Sequence, residues 1–300
     1  MYIAYHFYPI FYMRNLLIIP VFCISILVSA QDPASLGQSK FYSRFNLGYS
    51  FISGGALNDE ITQNTNGTTT VRYTPFSYGK GTNITYGLGY MISPNVGFEL
   101  GLSYFIGAKN SEKNFYRVDT VSTPYTVDQD LTSKVNLFRV NPSIIISADW
   151  KTIIPYVKFG FMMGWGKGFN ESMEKAVFQN NPKPSSGLFN WELSGGKAMG
   201  FSSALGVNFK SKNQVASFFI ELSHINMSGN FKKSTLETAN IDGVDLLPNL
   251  NTYTKEGVFV DEIEDGAPVN TSEPKKILKH NSSFNSVGFN VGLLIKMRTF

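Results

Sequence analysis

Eight stretches of this chain alternate large apolar residues with small or polar ones at a period of two, and that alternation constrains the fold more than any other feature. Period two is the signature of a strand with two unlike faces. In the first stretch Phe45, Leu47, Tyr49 and Phe51 share one face while Arg44, Asn46, Gly48 and Ser50 share the other. The second sets Ile84, Tyr86, Leu88 and Tyr90 against Thr85, Gly87 and Gly89. After Ser93-Pro94-Asn95 the third sets Val96, Phe98, Leu100, Leu102 and Tyr104 against Gly97, Glu99, Gly101 and Ser103. The fourth spans Phe138–Ile146, with Arg139, Asn141 and Ser143 on the minority face and Pro142 predicting a bulge or kink. The fifth and sixth run over 157–166 and 199–209, the seventh over 218–223 and the last over 287–297.

The connections between these stretches alternate in length. Those at 92–95, 148–152 and 210–214 are short, whereas those at about 52–82, 106–133, 167–195 and 229–283 are long and rich in Asn, Ser, Thr and Lys. An even strand count, short turns at one end and long loops at the other predict an all-β, eight-stranded, antiparallel, up-and-down transmembrane barrel with long extracellular loops and both termini periplasmic. The charges fall on the glycine-bearing face, which in such a barrel is the lumen. Arg44, Glu99, Arg139, Lys158, Glu221 and Lys296 are therefore read as a polar network filling an interior only wide enough for side chains. A soluble ligand-binding barrel would put the apolar face inward. Tyr49, Tyr90, Tyr104 and Trp165, near strand ends, are read as interfacial girdle residues.

Composition agrees with a chain that meets lipid by strands. Charged residues make up 16% and aromatic residues 14%, with 25 Phe and 15 Tyr, against roughly 25% charged in soluble domains. A mean hydropathy of −0.07 excludes a bundle of apolar spanning helices. A net charge of +4 without a basic run gives no argument for nucleic acid.

Residues 1–30 are expected to be a signal peptide. Leu16–Val28 is apolar behind Arg14, and Val28-Ser29-Ala30 suits cleavage before Gln31. Met13 followed by Arg14 makes an alternative start. Cys23, the one cysteine, lies inside this leader, so the remaining segment, 31–300, is expected to be a cysteine-free barrel domain without disulfides or thiolate metal sites.

The set of eight strands, with Asn290-Val291-Gly292-Leu293-Leu294-Ile295-Lys296-Met297 and the terminal Phe300, resembles the OmpA/OmpX-type outer-membrane β-barrel family of Gram-negative bacteria. The resemblance covers residues 41–300. It implies an outer-membrane location, contact with lipid and lipopolysaccharide, and insertion by the barrel assembly machinery, with Asn290, Gly292, Ile295, Met297 and Phe300 as the C-terminal insertion signal. Phe300 falls out of register with Ile295 and Met297.

No catalytic, cofactor or metal site is expected. The function anticipated is a structural or surface-binding role through the external loops, for a ligand the sequence does not identify. The alternatives are a small-solute channel, an accessory subunit of an envelope complex and a lipid A-modifying hydrolase. The last would use His224, whose parity points it at lipid. Ser223 and Ser228 sit at the wrong offsets for the family's His-x-Ser pattern, so a girdle histidine is preferred. The acidic run Asp261–Asp265 lacks the spacing of a calcium loop and is read as solvated, with ion pairing to Lys275, Lys276 or Lys279.

Overall fold

The computed structural model describes residues 40–63, 69–118, 124–178, 181–210, 216–264 and 268–297. The expected leader with Met13 and Cys23, most of the 210–214 turn, Asp265 and Phe300 lie outside them. The described chain is nearly all β. Its strands are β1 (Phe41–Ile52), β2 (Ala56–Gln63), β3 (Thr69–Phe76), β4 (Gly81–Met91), β5 (Val96–Gly107), β6 (Asn110–Val118), β7 (Tyr125–Ser147) and β8 (Ile153–Phe178). They continue with β9 (Asn181–Phe209), β10 (Ala216–Asn230), β11 (Lys233–Ile241), β12 (Val244–Asp245), β13 (Glu256–Val260), β14 (Lys275–Leu278), β15 (Ser282–Ser283) and β16 (Ser286–Lys296). One short helix, α1 (Thr252–Lys255), is capped by Asn251.

Eight of these strands contain the eight alternating stretches, and their antiparallel pairing is cyclic. β1 pairs with β4, β4 with β5, β5 with β7 and β7 with β8. β8 then pairs with β9, β9 with β10, β10 with β16 and β16 with β1. Tyr42 pairs with Lys296, so the first and last strands of the ring end side by side, at the same rim as the short turns. Along the ring most of the predicted apolar residues face outward and remain exposed, among them Phe45, Leu47, Leu88, Phe98, Leu102, Phe201, Leu222 and Phe289, whereas Val157 is buried against Ala148.

The structure corrects two expectations. Pro142 introduces no bulge: the β7–β8 register is the same on both sides of it, with Val140 opposite Met163 and Ser143 opposite Gly160. What the missing N–H removes is the pairing of Asn141 and Pro142 with β8, while pairing to β5 runs through unbroken.

The long connections, moreover, are largely strand. β7, β8 and β9 have 23, 26 and 29 residues, against 12 for β1 and 11 for β16. Beyond the ring β6 takes over from β5 as the partner of β7, and β11 takes over from β10 as the partner of β9. Part of the wall therefore rises above the rest. Thr, Ser and Asn on both faces erase the hydrophobic alternation in 106–133 and 167–195, which is why these segments read as loops, but backbone pairing to long neighbours holds them extended.

Two local devices shape this extension. Between Gly166 and Gly168 of β8 the partner strand carries one extra residue, and Gly195, at φ +73°, takes the left-handed conformation that this bulge requires. At the β11–β12 hairpin Asp242 and Gly243 have φ of 51° and 86°, the all-positive pair of a two-residue turn. Asp242 also accepts from the backbone N–H of Ser186 at 2.7 Å and the hydroxyl of Ser185 at 2.8 Å.

These bonds, the backbone N–H of Ser186 first, hold the Asp242 carboxyl below its ordinary range. A depressed carboxylate pKa contributes stability above its unfolded value and loses it as pH falls through the folded one. Hydrogen exchange at Ser186 N–H, corrected for intrinsic rates, is expected to speed up on acidification in the wild type and to be fast throughout in Asp242→Ala. A pH-independent Ser186 amide would contradict the cap.

Candidate functional site: the sealed lumen and the raised wall

Inside the ring four charges form a closed square. Lys158 Nζ lies 3.1 Å from Glu99 Oε1 and 2.9 Å from Glu221 Oε2. The Arg44 guanidinium lies 3.6 Å from Glu99 Oε2 and 3.5 Å from Glu221 Oε2. Each cation spans both carboxylates. Tyr42 and Tyr156 donate their hydroxyls to Glu99 and Glu221 at 3.1 and 3.0 Å. The Arg44 plane stacks on Phe219 at 3.9 Å and on Tyr156 at 4.5 Å. All four charged residues are buried. The strands bring them together because each sits at inward parity on a different ring strand: β1, β5, β8 and β10.

The other two predicted members of the network stand apart. Lys296 is half-buried at the turn-side mouth, where the charges acting on it are Asp149 and Lys210. Its position near the end of β16 puts it at the rim, below the level of the square. Arg139 is buried but has no carboxylate partner among the described residues. It donates Nε to Ser103 at 3.3 Å and Nη2 to Asn83, and its guanidinium lies 4.8 Å from the Phe105 ring.

The lumen is also less polar than the alternation implied. On the turn side of the square Tyr42, Ile145, Tyr156, Phe219 and Leu294 pack together. On the other side Phe105, Leu137, Met162, Ile225 and Met227 form a second apolar layer, joined by Tyr78, Phe231 and Phe284 from the connections. Large apolar residues at inward parity, such as Phe105, Phe219 and Met227, were the available signal for these layers.

The upper layer is locked by the backbone. Tyr78 N–H donates to Ser283 O and Phe284 N–H to Met227 O, at 2.8 and 2.9 Å. Ser77 Oγ donates to Asn285 O at 2.9 Å. Gly79 is required at this seam, because a Cβ there would fall 2.4 Å from Asn285 O. Burial pushes the Tyr78 phenol up to about 12, so the lid stays neutral at physiological pH.

One row of ladder partners crosses the outer surface at the foot of the raised wall. Across neighbouring strands Ile84, Tyr104, Phe138 and Trp165 are successive partners, and the next residue in the row is Lys197. Of the residues read as a girdle, Tyr104 and Trp165 are exposed in this row, Tyr49 is likewise exposed, and Tyr90 is exposed toward the opposite rim. Trp150, in the turn between β7 and β8, is a further exposed aromatic at that rim. Past the row exposed lysines form ion pairs, Lys109 with Glu171 at 3.9 Å, Lys113 with Asp130 at 3.5 Å and Lys167 with Glu192 at 2.8 Å, alongside exposed Ile106, Met173 and Val177.

On the inner side of the raised wall the Gln129 amide accepts from Asn114 at 3.3 Å and donates to Ser172 at 3.2 Å and to Glu174 at 2.8 Å. Phe189 is the β9 partner of Ser172, and Trp191 that of Asn170. His224 faces outward as parity predicted, with Ser203 as its β9 partner and Val287 as its β16 partner. No hydrogen bond joins His224 and Ser203, and neither has an ion pair among the described residues. Asn290 and Gly292 face the lumen and Ile295 and Met297 face outward, so the described part of the expected insertion signal has its alternation intact. Lys279 pairs with Asp261 at 2.8 Å, the intra-loop contact anticipated for the acidic run. Among the described residues no group of three or more metal-ligating side chains is gathered.

No protein-family model and no curated protein matches this chain. Among solved structures it is similar to Neisserial surface protein A (NspA), at 11% identity and a TM-score of 0.29 over 87% of this chain and 100% of that one. The outer membrane protein AlkL in DMPC bilayers gives 12% and 0.37 over 90% of this chain and 96% of that one. The outer membrane protein OprG from Pseudomonas aeruginosa gives 11% and 0.35 over 87% and 98%.

Removing one partner from a buried charge pair costs about 3–5 kcal/mol. Lys158→Met is therefore expected to lower the unfolding free energy of the refolded protein by that order in urea titrations. The double variant Lys158→Met/Glu221→Gln should recover part of the loss. Equal stability of the single and double variants would show that the square is not coupled.

Proposed function

We propose that this chain is an eight-stranded transmembrane β-barrel of a Gram-negative outer membrane, with its lumen sealed and its raised wall displayed outside the cell for surface binding. One observation carries this reading: large apolar residues dominate the outward positions of the ring and stay exposed, as at Phe45, Leu47, Leu88, Phe98, Leu102, Phe201, Leu222 and Phe289, while the buried charges Arg44, Glu99, Arg139, Lys158 and Glu221 lie inside. Strands of about 9–11 residues tilted about 45° cross a bilayer core, and the outward apolar runs of β1, β4, β5 and β16 have that length. Cyclic pairing leaves no open edge in the ring, the condition under which strands enter lipid.

The rim with the short turns and the paired ends of β1 and β16 then faces the periplasm, and the tall strands face outward. Two apolar layers enclosing a salt-bridged centre suit a structural barrel rather than a solute channel. The working surface is the inner side of the raised wall, where Asn114, Gln129, Ser172 and Glu174 present a hydrogen-bonding group beside Phe189 and Trp191. Aromatic and amide side chains on a rigid sheet are suited to recognising an extracellular ligand or an envelope partner. The chain acts without catalysis, in contact with outer-membrane lipid and lipopolysaccharide, after insertion by the barrel assembly machinery.

Single cysteines in a Cys23→Ser background test the placement. Val244→Cys, at an exposed hairpin, is expected to react with a membrane-impermeant maleimide on intact cells. Lys151→Cys, in the opposite turn, should react only after the outer membrane is permeabilised. The reverse pattern, or labelling of both on intact cells, would overturn the orientation. Planar-bilayer recordings of the refolded protein are expected to show no steady openings, and reproducible conductance would move the channel reading ahead.

A further inference from the structure

Among the described residues the buried charges of the lumen do not balance. Arg44, Arg139 and Lys158 stand against Glu99 and Glu221, all five being buried. The square of Arg44, Lys158, Glu99 and Glu221 is neutral in itself, since each cation there is shared between the same two carboxylates. The surplus positive charge is that of Arg139. An arginine does not shed its proton in a protein, and an isolated ionised group in a low-dielectric interior costs far more than a neutral polar one. Its partners Asn83, Ser103 and Phe105 supply dipoles and a ring face but no negative charge.

Arg139 does not sit against solid packing. It lines a cavity of about 60 Å³ in the barrel interior, together with Lys158, Asn141, Ser202, Ser223 and Asn290. Of the lining charges two are positive and one, Glu221, is negative. The hydroxyl of Ser202 donates to Asn141 Oδ1 at 3.0 Å, which leaves the Asn141 amide nitrogen as a donor at the chamber. Asn46, also in the lining, has its Oδ1 buried without a donor. The chamber thus asks for one acceptor of negative charge beside Arg139 and one small donor beside Asn46. The chamber is large enough for more than one water-sized body.

We propose that this chamber binds a small monovalent anion, chloride, on Arg139, with a single water completing the polar lining. A chloride is close to water in size, accepts from guanidinium and amide N–H groups together, and brings the interior charge to zero. The site is internal and is separate from the raised wall and its ligand, so it stands or falls independently of the surface-binding reading.

Bromide is the probe, because it substitutes for chloride and scatters anomalously. Crystals of the refolded protein grown or soaked in sodium bromide are expected to give an anomalous peak beside the Arg139 guanidinium. In parallel, the thermal unfolding midpoint of the wild type is expected to be higher in sodium chloride than in sodium gluconate at equal ionic strength, since a ligand held only by the folded state stabilises it. Arg139→Gln should lose that difference while its amide can still donate to Ser103 in place of Nε. Chamber density that shows no anomalous signal in bromide would overturn the proposal. So would a chloride response of the same size in Arg139→Gln as in the wild type. Should Arg139→Gln not fold, the bromide experiment on the wild type decides alone.

Discussion

Closure of the backbone ladder between the first and last ring strands is the constraint on which the rest of this structure depends. β1 and β16 pair through eleven consecutive residues, from Tyr42 with Lys296 to Ile52 with Ser286. Without that seam the sheet would have two free edges, each a row of unpaired N–H and C=O groups open to pairing with another chain. With it, every ring strand has two partners and the only remaining choice is which face turns inward. The seam itself rests on close approach. Gly48 has Asn290 Oδ1 at 1.9 Å from the position of a Cβ, and Gly292 has Phe45 O at 2.2 Å, so both glycines are what lets β1 and β16 lie together. The polar and small residues gathered inside are consequences of closure at a circumference too small for a pore.

A lumen so narrow makes every inward side chain a structural element. The four-charge square is affordable there because each carboxylate has two cations and a phenol, so desolvation is offset by several charge-assisted bonds at once. Apolar layers above and below exclude water from the square and strengthen those bonds, while the same dielectric makes the extra charge of Arg139 costly. Stability and sealing thus have one origin: the packing that closes the barrel to solutes is the packing that makes the ion pairs effective. The lid depends on the connections as much as on the ring, since Tyr78 and Phe284 are far apart in sequence and meet only because the two loops hydrogen-bond over the mouth.

Strand faces were legible because large apolar residues are concentrated on one face of each ring strand, and outward parity at Phe45, Leu88, Phe98 and Phe289 follows from period two alone. The raised wall was not legible for the opposite reason. Over 167–195 both faces are wet, so a residue such as Lys167 carries no sign of whether it belongs to a strand or a loop. The Asp242-Gly243 dipeptide was the one local marker of a hairpin in that half of the molecule. For the lumen, parity identified inward charges correctly but gave no height along the barrel. Lys296 and Glu221 share inward parity, yet one lies at the rim and the other in the square, because strand stagger places inward residues at different levels. Arg139 is the more instructive case: parity made it a member of a satisfied network, whereas its level places it among asparagines and serines.

Height along the barrel also orders the chemistry. At the turn-side rim lie Lys296, Asp149 and Lys210, followed by an apolar layer, the neutral square, the polar chamber, the second apolar layer and then the raised wall with its amide and aromatic groups. In the square each buried cation meets carboxylates, whereas Arg139 in the chamber meets none among the described residues. A barrel serving only as a pore would need none of this layering, since water would satisfy each group where it stood. Layers that exclude water instead fix the eight strands rigidly relative to one another, and the tall strands β7, β8 and β9 are continuous with that rigid ring. The wall therefore inherits its orientation from the sealed lumen, and a surface held that way can present Phe189, Trp191 and the Gln129 amide in a fixed arrangement without paying to order them on contact.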